Sequence, residues 1–327
     1  MKNIIITCIV VIFLSSFLYS CKKDDITEIP ITVPEITSLE SGTSKNLNSV
    51  SFIDSEIGFV VGDSGTILKT TNGGTSWMSL SSGSTSNLSS VCFITQDIGY
   101  VVGARGTILK TTDGGITWNM QTSGAVTSLL SVCITSIDTG YAVGLSRTIL
   151  KTTDGGTTWK QLGEYDYFDL FSAYFINSDT GIVVGGYWVG HGLGGSTIPI
   201  MYKTTDGGTN WAGVSVGLDN AIFSIFMLDT STIYIICGND IYNSVDGGAN
   251  WLQQTQSEVG FRSIYFITES MGYAVGYLGK MVKTIDGGEN WITLPKIVDE
   301  HLNSLSFPDI SVAYAVGNNG TILKIKN

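Results

Sequence analysis

The chain has 327 residues, of which only 14% are charged and 40 are glycine, and its formal net charge is −11. Sparse charge with abundant glycine, serine and threonine excludes a mainly helical protein and points to many short strands joined by tight turns. The three arginines, Arg105, Arg147 and Arg262, form no basic run, which excludes nucleic acid as a partner; the acidic balance serves solubility.

In chain order, the first feature is a targeting segment. Lys2 precedes an apolar run over residues 4–18, which is short for a membrane span. Leu18-Tyr19-Ser20-Cys21 follows and resembles a bacterial lipobox, with Tyr19 where a small residue is usual. The resemblance implies cleavage before Cys21 and acylation of that residue. Each buried methylene contributes about 0.8 kcal/mol, so several acyl chains together anchor a protein firmly. Lys22-Lys23-Asp24-Asp25 resembles the acidic export signal of surface-exposed lipoproteins in some Gram-negative bacteria. The expected organisation is a signal peptide over residues 1–20, a lipid anchor and tether over 21–34, and one folded domain over 35–327. The expected location is the bacterial cell envelope, as an outer-membrane lipoprotein that meets the membrane through its anchor only.

The remainder is repetitive. Gly-Thr-Ile-Leu-Lys-Thr-Thr-Asp-Gly-Gly-x-Thr-Trp recurs with small changes, placing tryptophans at Trp77, Trp118, Trp159, Trp211, Trp251 and Trp291. A second mark, a serine within a β-branched and aromatic run, falls at Ser49, Ser90, Ser131, Ser172, Ser224, Ser263 and Ser304. The serines count seven copies of a four-stranded unit about 41 residues long. In the second copy the expected strands are 90–94, 99–102, 107–111 and one beginning at Trp118, with turn signals between them. The repeated serine reads as a small residue where inner strands crowd an axis. The seventh copy ends before its fourth strand, and residues 36–42 match the segment 41 positions later, 77–83, at Ser38, Leu39, Ser41 and Gly42. The expected fold is therefore an all-β, seven-bladed propeller whose N-terminal strand closes the last blade, leaving only short, protected edges. Cys92, Cys133 and Cys237 have no metal-ligand spacing and read as buried small apolar residues.

The turns at Asn72, Asp113, Asp154, Asp206, Asp246 and Asp286 each precede two glycines. A carboxylate or amide there accepts N–H groups within its own turn, and glycine tolerates the positive φ such turns need. These residues resemble the Asp-box, or bacterial neuraminidase repeat. Together with Gly-Tyr-Ala-Val-Gly at residues 140–144, the unit is similar to the photosystem II assembly-factor-like propellers. The resemblance spans roughly residues 36–327 and implies the propeller, with the Asp-box a structural turn on the face opposite the usual ligand face. It does not carry an activity. Sialidases with this turn need a cluster of three arginines, and the three here are dispersed. The family's client is bound through a basic, arginine-rich surface, which this acidic chain lacks.

Departure from the repeat marks a candidate site. The fourth copy carries about eleven extra residues, and residues 186–195 replace a tight turn with a segment containing Tyr187, Trp188 and His191. The loop entering that blade, with Glu164, Tyr165, Asp166, Tyr167 and Phe168, is also irregular. Both should lie on one face beside Arg105 and Arg147, where aromatics with arginine suit recognition of a partner. The reading is a non-catalytic, monomeric envelope binding or assembly module for a protein, peptide or glycan, with no metal and no cofactor. The rival is a glycan-binding protein or a sialidase-type glycoside hydrolase; it would need two carboxylates 5–9.5 Å apart, with Glu164, Asp166 and Asp240 the candidates.

Overall fold

The computed structural model describes residues 33–163, 166–189 and 196–327. The leader, Cys21 and residues 22–32 lie outside them. The described chain forms seven four-stranded antiparallel sheets. The first strands of the blades, in order, are Leu47–Phe52, Leu88–Phe93, Leu129–Ile134, Asp169–Phe175, Ile222–Met227, Phe261–Phe266 and Leu302–Asp309. In blade 2 the strands are Leu88–Phe93, Gly99–Gly103, Ile108–Thr111 and Asn119–Met120, within two residues of the expected bounds. The second strands of blades 1, 2, 3, 5 and 6 are buried along their whole length, which explains their unbroken apolar runs.

The ring closes as expected. Glu35–Leu39 pairs antiparallel with Ile322–Lys326, Glu35 facing Lys326 and Leu39 facing Ile322, and completes blade 7.

The core sits in the seams between blades. In the first seam Phe59, Val61 and Ile67 of blade 1 pack with Leu88, Val91, Val101, Leu109 and Trp118 of blade 2. Aromatic stacking recurs at this level. The rings of Phe59 and Phe93 lie 4.1 Å apart at 18°, and Trp118 meets Phe93 edge-on. Gly99 opens the second strand because Phe93 covers it: a Cβ there would lie 2.5 Å from the phenylalanine ring.

Polar staples join neighbouring blades. The repeated serines are small, but they also bond. The Ser49 hydroxyl accepts the Val91 N–H at 3.2 Å, and Ser90, Ser131, Ser263 and Ser304 accept from Val132, Ala173, Leu305 and Val50. This corrects the purely steric reading. On the other face, a second-strand tyrosine and a third-strand lysine both donate to the first Asp-box glycine carbonyl of the next blade. Tyr100 and Lys110 reach Gly155 O, Tyr141 and Lys151 reach Gly207 O, and Tyr314 and Lys324 reach Gly73 O.

Among the described residues blade 7 has no Asp-box glycine for blade 6 to grip, and Asn327 meets the same two donors. Its Oδ1 accepts from the Tyr273 hydroxyl and, at 3.0 Å, from Lys283 Nζ. Its N–H donates to Ser311 O, as Gly114 N–H donates to Asp97 O in a regular blade.

Candidate functional site

Every first strand slips register by one residue at the same place. In blade 1 Leu47 faces Gly62 and Ser49 faces Val61, so Asn48 is left over as a β-bulge. The same slip isolates Ser89, Leu130, Phe171, Phe223, Arg262 and Asn303. A bulge leaves one residue out of the ladder and re-aims its side chain. All seven bulged residues line one depression of about 500 Å³ on the propeller axis, joined by Asp63, Asn87, Phe261 and Tyr277. They sit at the starts of the first strands, so the depression is the mouth on the face carrying the second-to-third-strand turns.

The ring is divided. Leu130, Phe171 and Phe223 come from consecutive blades 3, 4 and 5, and the rings of Phe171 and Phe223 stack 5.5 Å apart at 19°. Blades 6, 7, 1 and 2 contribute Arg262, Asn303, Asn48 and Ser89. The polar half is internally braced. Asn48 Nδ2 donates to Asp63 Oδ1 at 3.1 Å and to Leu88 O at 2.8 Å. Asn303 Nδ2 donates to Leu47 O and Asn318 Oδ1, which turns its own Oδ1 toward Arg262 Nη1 at 3.1 Å. Asp63 is the one carboxylate among the lining residues, and Asn46 and Asn48 hold it. A two-carboxylate glycosidase centre therefore has no second member among the residues described at the mouth.

The ligand-binding candidates from the sequence that are described, Tyr187, Trp188, Asp166, Tyr167, Arg105 and Arg147, stand on loops or strand ends of the mouth face, and none of them lines the depression. His191, Tyr165 and Glu164 lie outside the described residues. The insertion does not simply replace a turn by a loop. It lengthens the second and third strands of blade 4 to Gly181–Val189 and Ser196–Thr204, with Tyr187 facing Ile198 and Trp188 facing Thr197. The hairpin projects past the start of the first strand, where Asp169 faces Gly186, and so rises from the mouth face beside Phe171. Trp188 is 70% exposed. Thr197 Oγ1 accepts the Ala221 N–H at 3.1 Å and ties the hairpin to blade 5.

Arg147 and Asp166 come together at 4.0 Å, and the guanidinium lies over Phe168 and Tyr202 at 5.5 and 5.3 Å. Phe168 is buried and holds that loop down, whereas Tyr167 is 91% exposed. Arg105 occupies the left-handed position of the equivalent turn in blade 2 (φ 58°) and is exposed. Neither arginine lines the mouth; Arg262 does. Asp240 is consumed locally, accepting from Ser257 N–H, Thr255 and Gln253.

The Asp-box positions are turns whose acceptors are occupied. Asp113 accepts the Thr117 hydroxyl at 2.6 Å, the Thr117 N–H at 2.9 Å and the Thr111 hydroxyl at 2.8 Å. The Thr117 hydroxyl and N–H hold the Asp113 carboxyl down at about 2, and the Asn250 side chain and N–H do the same for Asp246. Asp154, Asp206 and Asp286 are lowered as well, and Asn72 makes the equivalent bond to Ser76 N–H. Gly73 N–H donates to Glu56 O in the first-to-second-strand loop, which places these turns on the face away from the mouth. Among the described residues no group of three or more His, Cys, Asp or Glu could hold a metal ion.

The sequence matches the family model of Photosynthesis system II assembly factor YCF48 over residues 76–131 and 125–263. The solved structure of YCF48 bound to D1 peptide is similar at 21% identity and TM-score 0.73, covering 90% of this chain and 100% of that one. YCF48 from Cyanidioschyzon merolae is 19% identical with TM-score 0.72, covering 89% and 98%. The GH74 xyloglucanase from Xanthomonas campestris is 11% identical with TM-score 0.68; this chain covers 53% of that one, about half its length. These structural likenesses are likenesses of fold. No curated protein sequence matches the chain.

Proposed function

Since this chain belongs to the photosynthesis system II assembly factor YCF48 family, whose model spans more than half of it, we propose that it is a non-catalytic recognition propeller that holds a segment of a partner protein across its mouth. The carrying observation is the ring of seven bulged side chains around the 500 Å³ depression. The scaffold is nearly identical from blade to blade, yet this ring holds five residue types at its seven positions. A purely structural position would repeat, as the neighbouring serine does. That a structural relative was solved with a D1 peptide supports a peptide as the ligand class. With a net charge of −11 and three arginines, the partner is a different one. The exposed Tyr187 and Trp188 hairpin flanks the mouth as a further contact.

The propeller works from the cell envelope as a monomer held by acyl chains on Cys21. Labelling with a fatty-acid analogue tests the anchor: Cys21→Ser should lose the label, and undiminished label would refute it. For the mouth, the detergent-solubilised full chain should retain a protein from its own envelope extract. A Phe171→Ser, Phe223→Ser double variant with an unchanged melting temperature should lose that protein. Retention in undiminished amount would sink the reading.

A further inference from the structure

Resting on that reading of the mouth, we propose that the ligand is a peptide carrying a carboxylate next to apolar side chains, the carboxylate taken by Arg262 and the apolar residues by Leu130, Phe171 and Phe223. The mouth is lined by one cation, Arg262, among the described residues. Its Nη1 donates to Asn303 Oδ1 at 3.1 Å, its Nη2 donates to the Tyr277 hydroxyl at 3.3 Å, and its guanidinium lies 4.6 Å over the Tyr277 ring. These partners are neutral, and among the described residues no carboxylate lies within ion-pair distance of it. In a chain with 28 acidic residues, an arginine braced by an amide and a phenol rather than by an acid is a charge left for something else. A guanidinium has five N–H donors and two are used, so the remainder can grip a carboxylate in the planar, two-bond manner that lysine cannot reproduce.

The opposite half of the ring decides what accompanies the carboxylate. Phe171 and Phe223 lie nearly parallel, Phe223 is 42% exposed, and Leu130 continues the surface. These side chains offer no donor or acceptor and present apolar surface to aliphatic or aromatic groups. A depression of about 500 Å³ has room for a few side chains. The halves also impose a direction. The anionic end sits at blade 6, the chain crosses blade 5, and it leaves toward the blade 4 hairpin, where Tyr187 and Trp188 rise.

The test is calorimetry on the detergent-solubilised full chain with the hexapeptide Ala-Leu-Phe-Ala-Leu-Ala in three forms: with a free C-terminal carboxylate, with a C-terminal amide, and amidated with aspartate replacing the fifth residue. At least one acidic form should bind about tenfold or more tighter than the neutral amide. Which one does so tells a chain terminus from an acidic side chain. Arg262→Gln should abolish the difference between acidic and neutral forms, and Arg262→Lys should restore only part of it. Phe223→Ser should weaken all three. Equal binding of the neutral and acidic forms, or a preference that survives Arg262→Gln, overturns the proposal, as does octanoate binding better than either acidic peptide. If no peptide binds while Phe223→Ser still loses the envelope partner, the ligand class is wrong and the mouth reading stands. If that variant also retains the partner, both fall.

Discussion

Removing the Asn327 side chain tests whether its Oδ1 does for blade 6 what an Asp-box glycine carbonyl does for blades 2, 3 and 7. The Tyr273 hydroxyl and Lys283 Nζ converge on one acceptor, Asn327 Oδ1. Lys283 is only 3% exposed, and its burial already lowers its pKa. Asn327→Ala leaves a buried ammonium and a buried phenol without their shared acceptor. An orphaned buried group costs about 1–3 kcal/mol, more when charged. Asn327 itself is exposed, so water recovers part of this, and the expected net loss is about 1–3 kcal/mol. For a domain of this size that lowers Tm by a few degrees. Thermal unfolding should show this loss for Asn327→Ala and little change for Lys326→Ala, which breaks only the exposed 3.8 Å pair with Glu35. A double-mutant cycle with Tyr273→Phe should be non-additive. Matching midpoints for Asn327→Ala and Lys326→Ala, or strict additivity in the cycle, would falsify this equivalence.

The Asp-box carboxylates predict an acid limb. Asp113 and Asp246 sit at about 2 against an ordinary 3.8, so their contribution is complete above about pH 4 and is lost as pH falls toward 2. Denaturant midpoints should be level from neutral pH down to about 5 and fall below 4, and Asp113→Asn should make that fall shallower; an unchanged slope would contradict the assignment. Ser131→Ala removes the acceptor of Ala173 N–H at 3.3 Å and should cost about 1 kcal/mol by urea unfolding, whereas a cost near zero would return the serine to a merely steric role. Trp188→Ala should change stability by less than about 0.5 kcal/mol yet weaken partner binding by about 1–3 kcal/mol. A stability loss with binding intact would end the hairpin's role in recognition.

The blades and their closure were legible because repetition supplies an internal alignment. Ser38, Leu39, Ser41 and Gly42 find their counterparts one repeat later, and the seam at Glu35–Leu39 followed. The mouth was not legible in the same way. Arg262 read as an ordinary member of a first strand, because side-chain alternation assumes an unbroken ladder and the bulge breaks it at that residue. A signal was available: the column just before the repeated serine reads Asn48, Ser89, Leu130, Phe171, Phe223, Arg262, Asn303. Asn327 falls in the Asp-box column, three residues after Lys324 as Asn72 is after Lys69, but the bond it makes to blade 6 is not visible there. In regular blades its role falls to a glycine carbonyl, and backbone groups carry no side-chain signature. The glycine-rich stretch after Val189 hid the lengthened hairpin, although Tyr187, Trp188, Thr197 and Ile198 are residues that favour strands.

The bulge has one more consequence, for how such a protein changes over time. The bulged residue stands outside the ladder, and the repeated staple of the seam is the serine beside it; of the bulged residues only Asn48 and Asn303 add side-chain bonds of their own to the described backbone of the next blade. Exchanging a bulged residue that makes no such bond, as at Ser89 or Leu130, therefore alters what the mouth displays at little cost to folding. Two pairs in the ring are coupled, Arg262 with Asn303 by a hydrogen bond and Phe171 with Phe223 by stacking, so each pair changes together. A lineage can retarget the propeller one blade or one coupled pair at a time without passing through an unfolded intermediate. A protein engineer could do the same, treating the ring as a seven-letter address written on a fixed frame.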